Sequence, residues 1–174
     1  MNGDAALPAG QPDPASAETE AVDTFWMQEA LSEARQARDH GDVPVGAVVV
    51  LDGQCIGRGH NRREIDRDPT AHAELIALRS ASTVMHHWRL DGATLYCTLE
   101  PCSMCAGAMV LARLPRLVYA AADPKAGAAG SVLDILNHTR LNHRVTVIGG
   151  LLAADAAALL VGFFAEKRAQ GHRH

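Results

Sequence analysis

Apolar residues recur along the chain with two spacings, and each spacing predicts a type of secondary structure. Residues 25–39 carry an apolar residue at every third or fourth position, as on one face of an amphipathic helix, at Trp26, Ala30, Ala34 and Ala37. Residues 45–50 form a short continuous apolar run, which is typical of a buried strand. The turn signal Asp52-Gly53 follows, so residues 54–59 are expected to return as the second strand of a hairpin.

The same patterns predict further helices and strands in the rest of the chain. In full, helices are expected over 25–39, 71–82, 102–113, 132–136 and 153–167, and strands over 45–50, 54–59, 93–99, 117–121 and 145–148. Strands that alternate with helices in the second half imply crossover connections and partly parallel pairing, whereas the hairpin adds an antiparallel pair. The expected fold class is therefore α/β, with a mixed five-stranded sheet and helices on both faces.

The first 23 residues differ in composition from the remainder. They are rich in Ala, Pro, Gly and Asp, and they contain five acidic residues but no Lys or Arg. They also lack the basic start and apolar stretch of a secretory signal. Residues 1–23 are therefore predicted to be a disordered acidic tail, and residues 24–174 to be one folded domain.

Charge and cysteine content narrow the functional classes. The chain has a formal net charge of −4, and the acidic tail accounts for −5 of it, which leaves +1 for the folded part. Net charge thus gives little support for a nucleic-acid partner, although Arg62, Arg63 and Arg67 form a local basic cluster. No apolar run approaches the roughly 20 residues that cross a bilayer, so no membrane partner is expected. With no export signal the four cysteines indicate a cytoplasmic protein, where close pairs bind metal or do redox chemistry.

Two helix starts carry candidate metal ligands. Cys102 and Cys105 follow Pro101 and project to the same side of a first helical turn, where the helix N-terminus and a cation both favour thiolate. A redox pair is the alternative for an isolated Cys-x-x-Cys. His72 opens another helix and supplies a third ligand. Catalytic zinc commonly has three protein ligands and a water in the fourth position, so one Zn²⁺ per subunit is expected.

Glu74, two residues after His72, is the one acid in an apolar stretch, and a carboxylate there needs a partner or a catalytic role. His-x-Glu followed by Pro-Cys-x-x-Cys is the signature of zinc deaminases, in which the Glu transfers protons. Two alternatives stay open. A closed structural zinc site would use Cys97 as a fourth ligand, and a non-catalytic zinc-stabilised RNA-binding module would have no need of Glu74.

Segments of this sequence that extend beyond the two motifs also match those of a known protein family. They are VPVGAVVV (43–50), GHN (59–61), DPTAHAE (68–74), LYCTLEPCSMCAGAM (95–109), DPKAGAAGS (123–131) and LNHRV (141–145). Over about residues 24–168 the sequence resembles the bacterial tRNA-specific adenosine deaminases, which belong to the cytidine-deaminase-like superfamily. The resemblance implies a three-layer sandwich fold and hydrolytic conversion of the wobble adenosine of a tRNA anticodon to inosine.

The resemblance also implies roles for residues outside the metal site. Asn61 would hydrogen-bond the inserted nucleoside, and Asp123 and Lys125 would contact the anticodon loop. Further residues have two possible roles: Asn142 and His143 would bind the loop or buttress the site, and Val43, Pro44 and Leu99 would line the pocket or fill the core. The family forms homodimers that bind tRNA with both subunits. The main alternative function is a zinc-dependent deaminase of free guanine, cytosine or a nucleoside.

Overall fold

Five strands form one central sheet in the part of the chain that the structure describes, residues 14–171 of a computed structural model. The strands are β1 (Gly46–Leu51), β2 (Gln54–His60), β3 (Thr94–Leu99), β4 (Arg116–Ala121) and β5 (Thr146–Gly149). The helices are α1 (Pro14–Asp39), α2 (Arg63–Asp66), α3 (Ala73–Met85), α4 (Ser103–Leu111) and α5 (Ala153–Ala169). None of the described helices has both the length and the apolar character that crossing a membrane requires.

The strand order in the sheet is β2-β1-β3-β4-β5. Strand β1 pairs antiparallel with β2 and β3, whereas β3, β4 and β5 are parallel to one another. The hairpin supplies the antiparallel pair and the helical crossovers supply the parallel ones. The prediction of a mixed five-stranded α/β sheet is confirmed.

Helices cover both faces of the sheet and create two apolar cores. Helices α1 and α5 pack on one face, over a core that includes Val48, Tyr96 and Val118. Helices α3 and α4 pack on the other face, over alternate residues of the same strands. This alternation follows from the period of two in a strand, which sends successive side chains to opposite faces.

Glycines allow the helices to approach the sheet closely. A Cβ atom at Gly46 would lie 2.1 Å from the carbonyl oxygen of Ala30 in α1, and one at Gly59 would lie 2.4 Å from that of Ala73 in α3. Only residues without a side chain fit at such separations. The start of α3, which follows the candidate ligand His72, is thereby held against strand β2.

The first helix is longer than the sequence pattern predicts. It begins at Pro14 rather than near residue 25, so residues 14–23 of the predicted disordered tail are helical. The side chain of Asp23 is buried against the sheet and forms an ion pair with Arg116 of β4, with an Nη2–Oδ2 distance of 2.5 Å. This ion pair holds the additional N-terminal turns of α1 against the sheet. Residues 1–13 lie outside the described part of the chain.

Two local predictions differ from the structure. The short helix predicted over 132–136 is wrong, because the amides of Val132 and Ile135 donate to the carbonyl groups of Gly127 and Ala128 instead of continuing a helical ladder. Conversely, the segment after β2, for which the sequence pattern predicts no helix, contains the single-turn helix α2.

Candidate metal centre

The three predicted metal ligands meet on the α3–α4 side of the sheet, just beyond the carboxyl end of β3. His72 and Cys102 occupy the residue before α3 and α4 respectively, both with an extended backbone, and Cys105 lies in the first turn of α4. Crevices at the carboxyl ends of parallel strands are the usual ligand sites of α/β sheets. Two helix starts therefore converge on one point.

The distances within this cluster fit a tetrahedral metal site. His72 Nδ1 lies 3.7 Å from Cys102 Sγ and 3.6 Å from Cys105 Sγ, and all three ligand atoms lie within 4.8 Å of one another. With Zn–S near 2.3 Å and Zn–N near 2.1 Å, tetrahedral geometry separates sulfur and nitrogen by about 3.6 Å. One imidazole and two thiols are also a donor set that zinc prefers. The residues therefore fit a zinc ion.

The ionisation of the two thiols points the same way. Hydrogen bonds with Cys105 and His72 lower the pKa of Cys102 to about 3, so this sulfur is a thiolate. The neighbouring Cys102 and burial raise the pKa of Cys105, and the hydrogen bond to Cys102 raises that of His72. A divalent cation is the group that allows two such adjacent thiols to ionise together.

Cys97 does not join this cluster. Its thiol donates to the Leu99 carbonyl oxygen at 3.0 Å, and burial raises its pKa well above the ordinary value. Among residues 14–171, the only group of His, Cys, Asp and Glu side chains close enough to hold a metal is the one formed by His72, Cys102 and Cys105. The arrangement opposes a closed site with Cys97 as fourth ligand.

Glu74 lies beside the cluster in the first turn of α3 and is 3% exposed. Burial raises its pKa to about 6, against the opposing effects of its own backbone amide and of His72. Within the described residues, no Lys or Arg forms an ion pair with this carboxylate. A buried acid with a pKa near neutrality can both accept and donate a proton.

Asn61, predicted to bind the substrate, has a structural contact at the same site. It is 6% exposed, and its Oδ1 accepts a hydrogen bond of 3.1 Å from the Ala73 amide, which caps α3. Thr70, which precedes the helix by three residues, does not cap it, because its amide and hydroxyl both donate to Oδ1 of Asp68. One amide oxygen thus orients the helix that bears Glu74, and the amide nitrogen makes no hydrogen bond to other described residues.

Asp123 and Lys125 lie on a loop, residues 123–131, that follows β4. The loop contacts the residues that precede α4. The Ala128 amide donates to the Pro101 carbonyl oxygen at 2.8 Å, and Gly127 forms an antiparallel β-bridge with Cys102. Sequence reasoning missed the residue that anchors this loop, Glu100. The sequence feature that could have pointed to Glu100 is its position as an acidic residue between an apolar strand and the helix start at Pro101-Cys102.

The segment that contains Asn142 and His143 makes contacts within the protein. His143 Nε2 lies 2.6 Å from the Leu114 carbonyl oxygen, and Asn142 Oδ1 accepts a hydrogen bond of 2.7 Å from Arg113. Of the two roles that the sequence left open, these contacts favour the buttress.

Residues expected at the pocket and in the basic cluster also have positions in the structure. Pro44 is buried, whereas Val43 and Leu99 are partly buried at the edge of the core, so both pocket and core roles stay open. In the basic cluster, Arg62 pairs with Asp66, while Arg63 and Arg67 are exposed.

Fold and site together define a class. The family model of MafB19-like deaminases matches residues 22–168, and the three-layer sheet with a His/Cys/Cys cluster at its strand ends is the architecture of a cytidine-deaminase-like enzyme. The chain is 45% identical to the tRNA-specific adenosine deaminase of Bacillus subtilis (strain 168) over 146 residues, which cover 84% of this chain and 91% of that relative. The chain belongs to the tRNA-specific adenosine deaminase family.

The solved structures that resemble the fold include two deaminases. The first comes from a study of A-to-I editing by tRNA:A34 deaminases at the wobble position of transfer RNA; it superposes with a TM-score of 0.76 at 45% identity, covering 79% of this chain and 99% of that one. The second is guanine deaminase from Nitrosomonas europaea, with a TM-score of 0.67 at 25% identity, covering 95% and 100%.

Proposed function

We propose that this protein deaminates adenosine to inosine at the wobble position of a tRNA anticodon. The observation that carries the proposal is the 45% identity to a tRNA-specific adenosine deaminase over 91% of that relative's length. The similarity to a guanine deaminase is weaker, at 25% identity, although that fold covers more of this chain. The net reaction takes adenosine and water to inosine and ammonia.

Within this proposal, His72, Cys102 and Cys105 hold one zinc ion and leave a fourth coordination position for water. When bound, the ion supplies a water whose pKa is lowered from 15.7 to about 7, which makes a hydroxide nucleophile available at neutral pH. The three side chains are suited to this because His72 Nδ1 lies 3.7 and 3.6 Å from the two Sγ atoms, close to the nitrogen–sulfur separation of a tetrahedral zinc site. Only three protein ligands occur in the cluster among residues 14–171.

Glu74 is the proton carrier of the proposal. Its carboxylate takes a proton from the attacking water and delivers it to N1 of the purine ring, while the water oxygen bonds to C6. The carboxylate then takes the remaining proton from the C6 hydroxyl and passes it to the exocyclic amino group, so that the C6–N bond breaks, ammonia leaves and the C6 carbonyl of inosine forms. With a pKa of about 6, Glu74 is mainly ionised at pH 7 and its conjugate acid is strong enough to return the proton.

Substrate contacts are assigned to three residues. The amide nitrogen of Asn61 donates to the inserted nucleoside, while its oxygen caps α3. Asp123 and Lys125 contact the anticodon loop from the 123–131 loop, which is bonded to the start of α4. RNA readers commonly target unpaired loop bases in this way.

A homodimer and a cytoplasmic location complete the proposal. Leu111 is 73% exposed on α4, and an exposed apolar side chain of this size on a helix next to the site suits a surface covered by a second copy. We therefore expect Leu111→Glu to shift the sedimentation mass from two chains toward one. The four free cysteines suit the reducing cytoplasm, where tRNA is also present.

The decisive experiment offers the zinc-loaded protein an anticodon stem-loop with adenosine at the wobble position. A matched stem-loop with guanosine there, and free guanine and cytosine, are the controls. We expect conversion of the wobble adenosine to inosine and no turnover of the guanosine stem-loop, free guanine or free cytosine. Turnover of free guanine or cytosine without inosine formation would replace the proposal by the free-base alternative.

A further inference from the structure

The carboxylate of Glu100 is bound entirely by one loop. Glu100 is 2% exposed and lies between β3 and Pro101. Its Oε2 accepts hydrogen bonds from the Asp123 amide, at 2.9 Å, and from the Ser131 hydroxyl. Its Oε1 accepts from the amides of Ala129 and Ser131, each at 3.0 Å. All four donors belong to the 123–131 loop, so this buried charge organises both ends of a single segment.

The loop encloses the carboxylate at very short range. A Cβ atom at Gly127 would lie 2.4 Å from Cδ of Glu100, so no other residue fits in this position. Gly127 also bridges to Cys102, and the next amide, that of Ala128, donates to Pro101. The loop is therefore bonded to the metal-ligand helix start and to the acid that precedes it.

The placement continues from Glu100 to the proposed RNA contacts. Glu100 receives the amide of Asp123, and Asp123 Oδ1 in turn accepts from the amide of Lys125 at 2.9 Å. The backbone of Lys125 is thus two hydrogen bonds removed from the Glu100 carboxylate. A shift of Glu100 would displace both residues together.

We propose that Glu100 is a positioning residue, which fixes the 123–131 loop so that Asp123 and Lys125 meet the RNA substrate in the correct place relative to the metal centre. The inference rests on the proposed function, since it gives those two residues an RNA to bind. Glu100 needs no contact with the substrate or the reacting atoms for this role.

The negative charge, rather than the size of the side chain, is what the loop requires. A glutamine has the same shape, but its amide nitrogen would replace one oxygen and face two donors of the loop. Whichever way the amide turns, at least one backbone amide loses its acceptor. A buried unpaired amide is costly, so the loop of a Glu100→Gln protein would move or lose order.

The test compares steady-state deamination of the wobble-adenosine stem-loop by the zinc-loaded wild type, Glu100→Gln, Lys125→Ala and the double variant. Glu100→Gln should raise KM about 10-fold or more and change kcat less than about 3-fold, because binding contacts are misplaced while the metal site persists. When Lys125→Ala is already present, adding Glu100→Gln should raise KM by only about 3-fold or less. Zinc content per chain should be unchanged, and the control Asp23→Asn, another buried carboxylate, should leave KM unchanged.

The outcomes separate this inference from the proposed function. A wild type that forms no inosine removes the function and this inference with it. A wild type that edits, with Glu100→Gln losing kcat in proportion to lost zinc or showing effects additive with Lys125→Ala, overturns the positioning role alone. If Glu100→Gln does not fold, Ser131→Ala removes one of the four donors and must show the same change in KM at smaller size; an unchanged KM overturns the inference.

Discussion

Asp23 and Glu74 are buried carboxylates on opposite faces of the central sheet, and their surroundings differ. Asp23 on the α1 face is 6% exposed and is bound by Arg116 and by the Tyr96 hydroxyl, whose oxygen lies 2.8 Å from Oδ1. Glu74 on the α3 face is 3% exposed and has no cationic side chain paired with it among residues 14–171. Burial disfavours the charged form of both acids, but only Asp23 has hydrogen-bonding and cationic partners that offset this cost.

The pKa values follow from this difference. Burial alone would raise the pKa of Asp23, but the hydrogen bonds from Arg116 and Tyr96 outweigh it and lower the pKa below the ordinary 3.8. Burial raises the pKa of Glu74 to about 6 because its partners are weaker. A satisfied buried charge holds structure together, whereas an unsatisfied one next to ligand side chains is poised for proton transfer.

The largest expected effect comes from removing Glu74, the proposed proton carrier. Glu74→Gln should lower kcat/KM on the stem-loop about 1000-fold or more, since general acid–base catalysis commonly contributes 10²–10⁴-fold and this residue acts twice. Zinc content should stay at the wild-type level. Asp23→Asn is the matched control and should change kcat/KM less than about 3-fold. Retained activity in Glu74→Gln would remove the contrast between the two acids.

The pH profile should show the next effect. Because Glu74 must be ionised to accept a proton and its pKa is raised to about 6, kcat/KM should fall about tenfold per pH unit below pH 6. Zinc content measured at each pH distinguishes this limb from metal loss. A limb centred near 4.5, the ordinary value for Glu, would mean that burial does not act on this carboxylate as described.

Replacement of Asp23, the other buried acid, should lower the free energy of unfolding. Asp23→Asn should lower the free energy of unfolding by about 2 kcal/mol at pH 7, because Arg116 loses its charged partner in a partly buried position. Since the folded-state pKa of Asp23 lies below its unfolded value, this stabilisation is present above about pH 3.8 and is lost as pH falls through the folded pKa. Urea unfolding of both proteins at pH 7 and pH 3 measures it.

The exposed pair Arg89–Asp91 provides a control for that experiment. Asp91→Asn also removes one partner of an ion pair, but both side chains are about half exposed, at 46% and 59%. Asp91→Asn should therefore lower the free energy of unfolding much less than Asp23→Asn does, because water screens an exposed ion pair. An equal loss in both variants would show that burial of Asp23 adds nothing.

Tyr96→Phe should have the smallest effect on the same network. It removes the hydroxyl that donates to Asp23 but leaves the Arg116 ion pair, so the expected cost is about 1 kcal/mol. The double variant with Asp23→Asn should cost less than the sum of the single changes, since both act on one network. Additive costs would indicate that the hydroxyl and the carboxylate act independently.

The features that sequence could predict are those encoded within short segments. The hairpin, the alternation of helices and strands, and the His72 and Cys102 helix starts each depend on residues close together in the chain. The mixed sheet follows from their order, because crossover connections restrict the possible pairings. The convergence of His72 with both cysteines is predicted from the two motifs together, because each offers zinc ligands, and the structure brings the three residues together.

The features that it could not predict depend on contacts between distant residues. The early start of α1 is anchored by Asp23 and Arg116, which are 93 positions apart. The loop form of residues 132–136 and the anchoring by Glu100 both arise from the fold of the 123–131 loop, whose donors face one carboxylate. Apolar periodicity carries no information about such polar pairings.

We propose a zinc ion that is held by His72, Cys102 and Cys105 and has a fourth position open to solvent beside Glu74. X-ray absorption at the zinc edge of the metal-loaded protein tests it most directly. We expect two sulfur ligands, one imidazole nitrogen and a fourth light atom that a small anion can displace. A third sulfur, or four protein ligands that no added anion displaces, would contradict it.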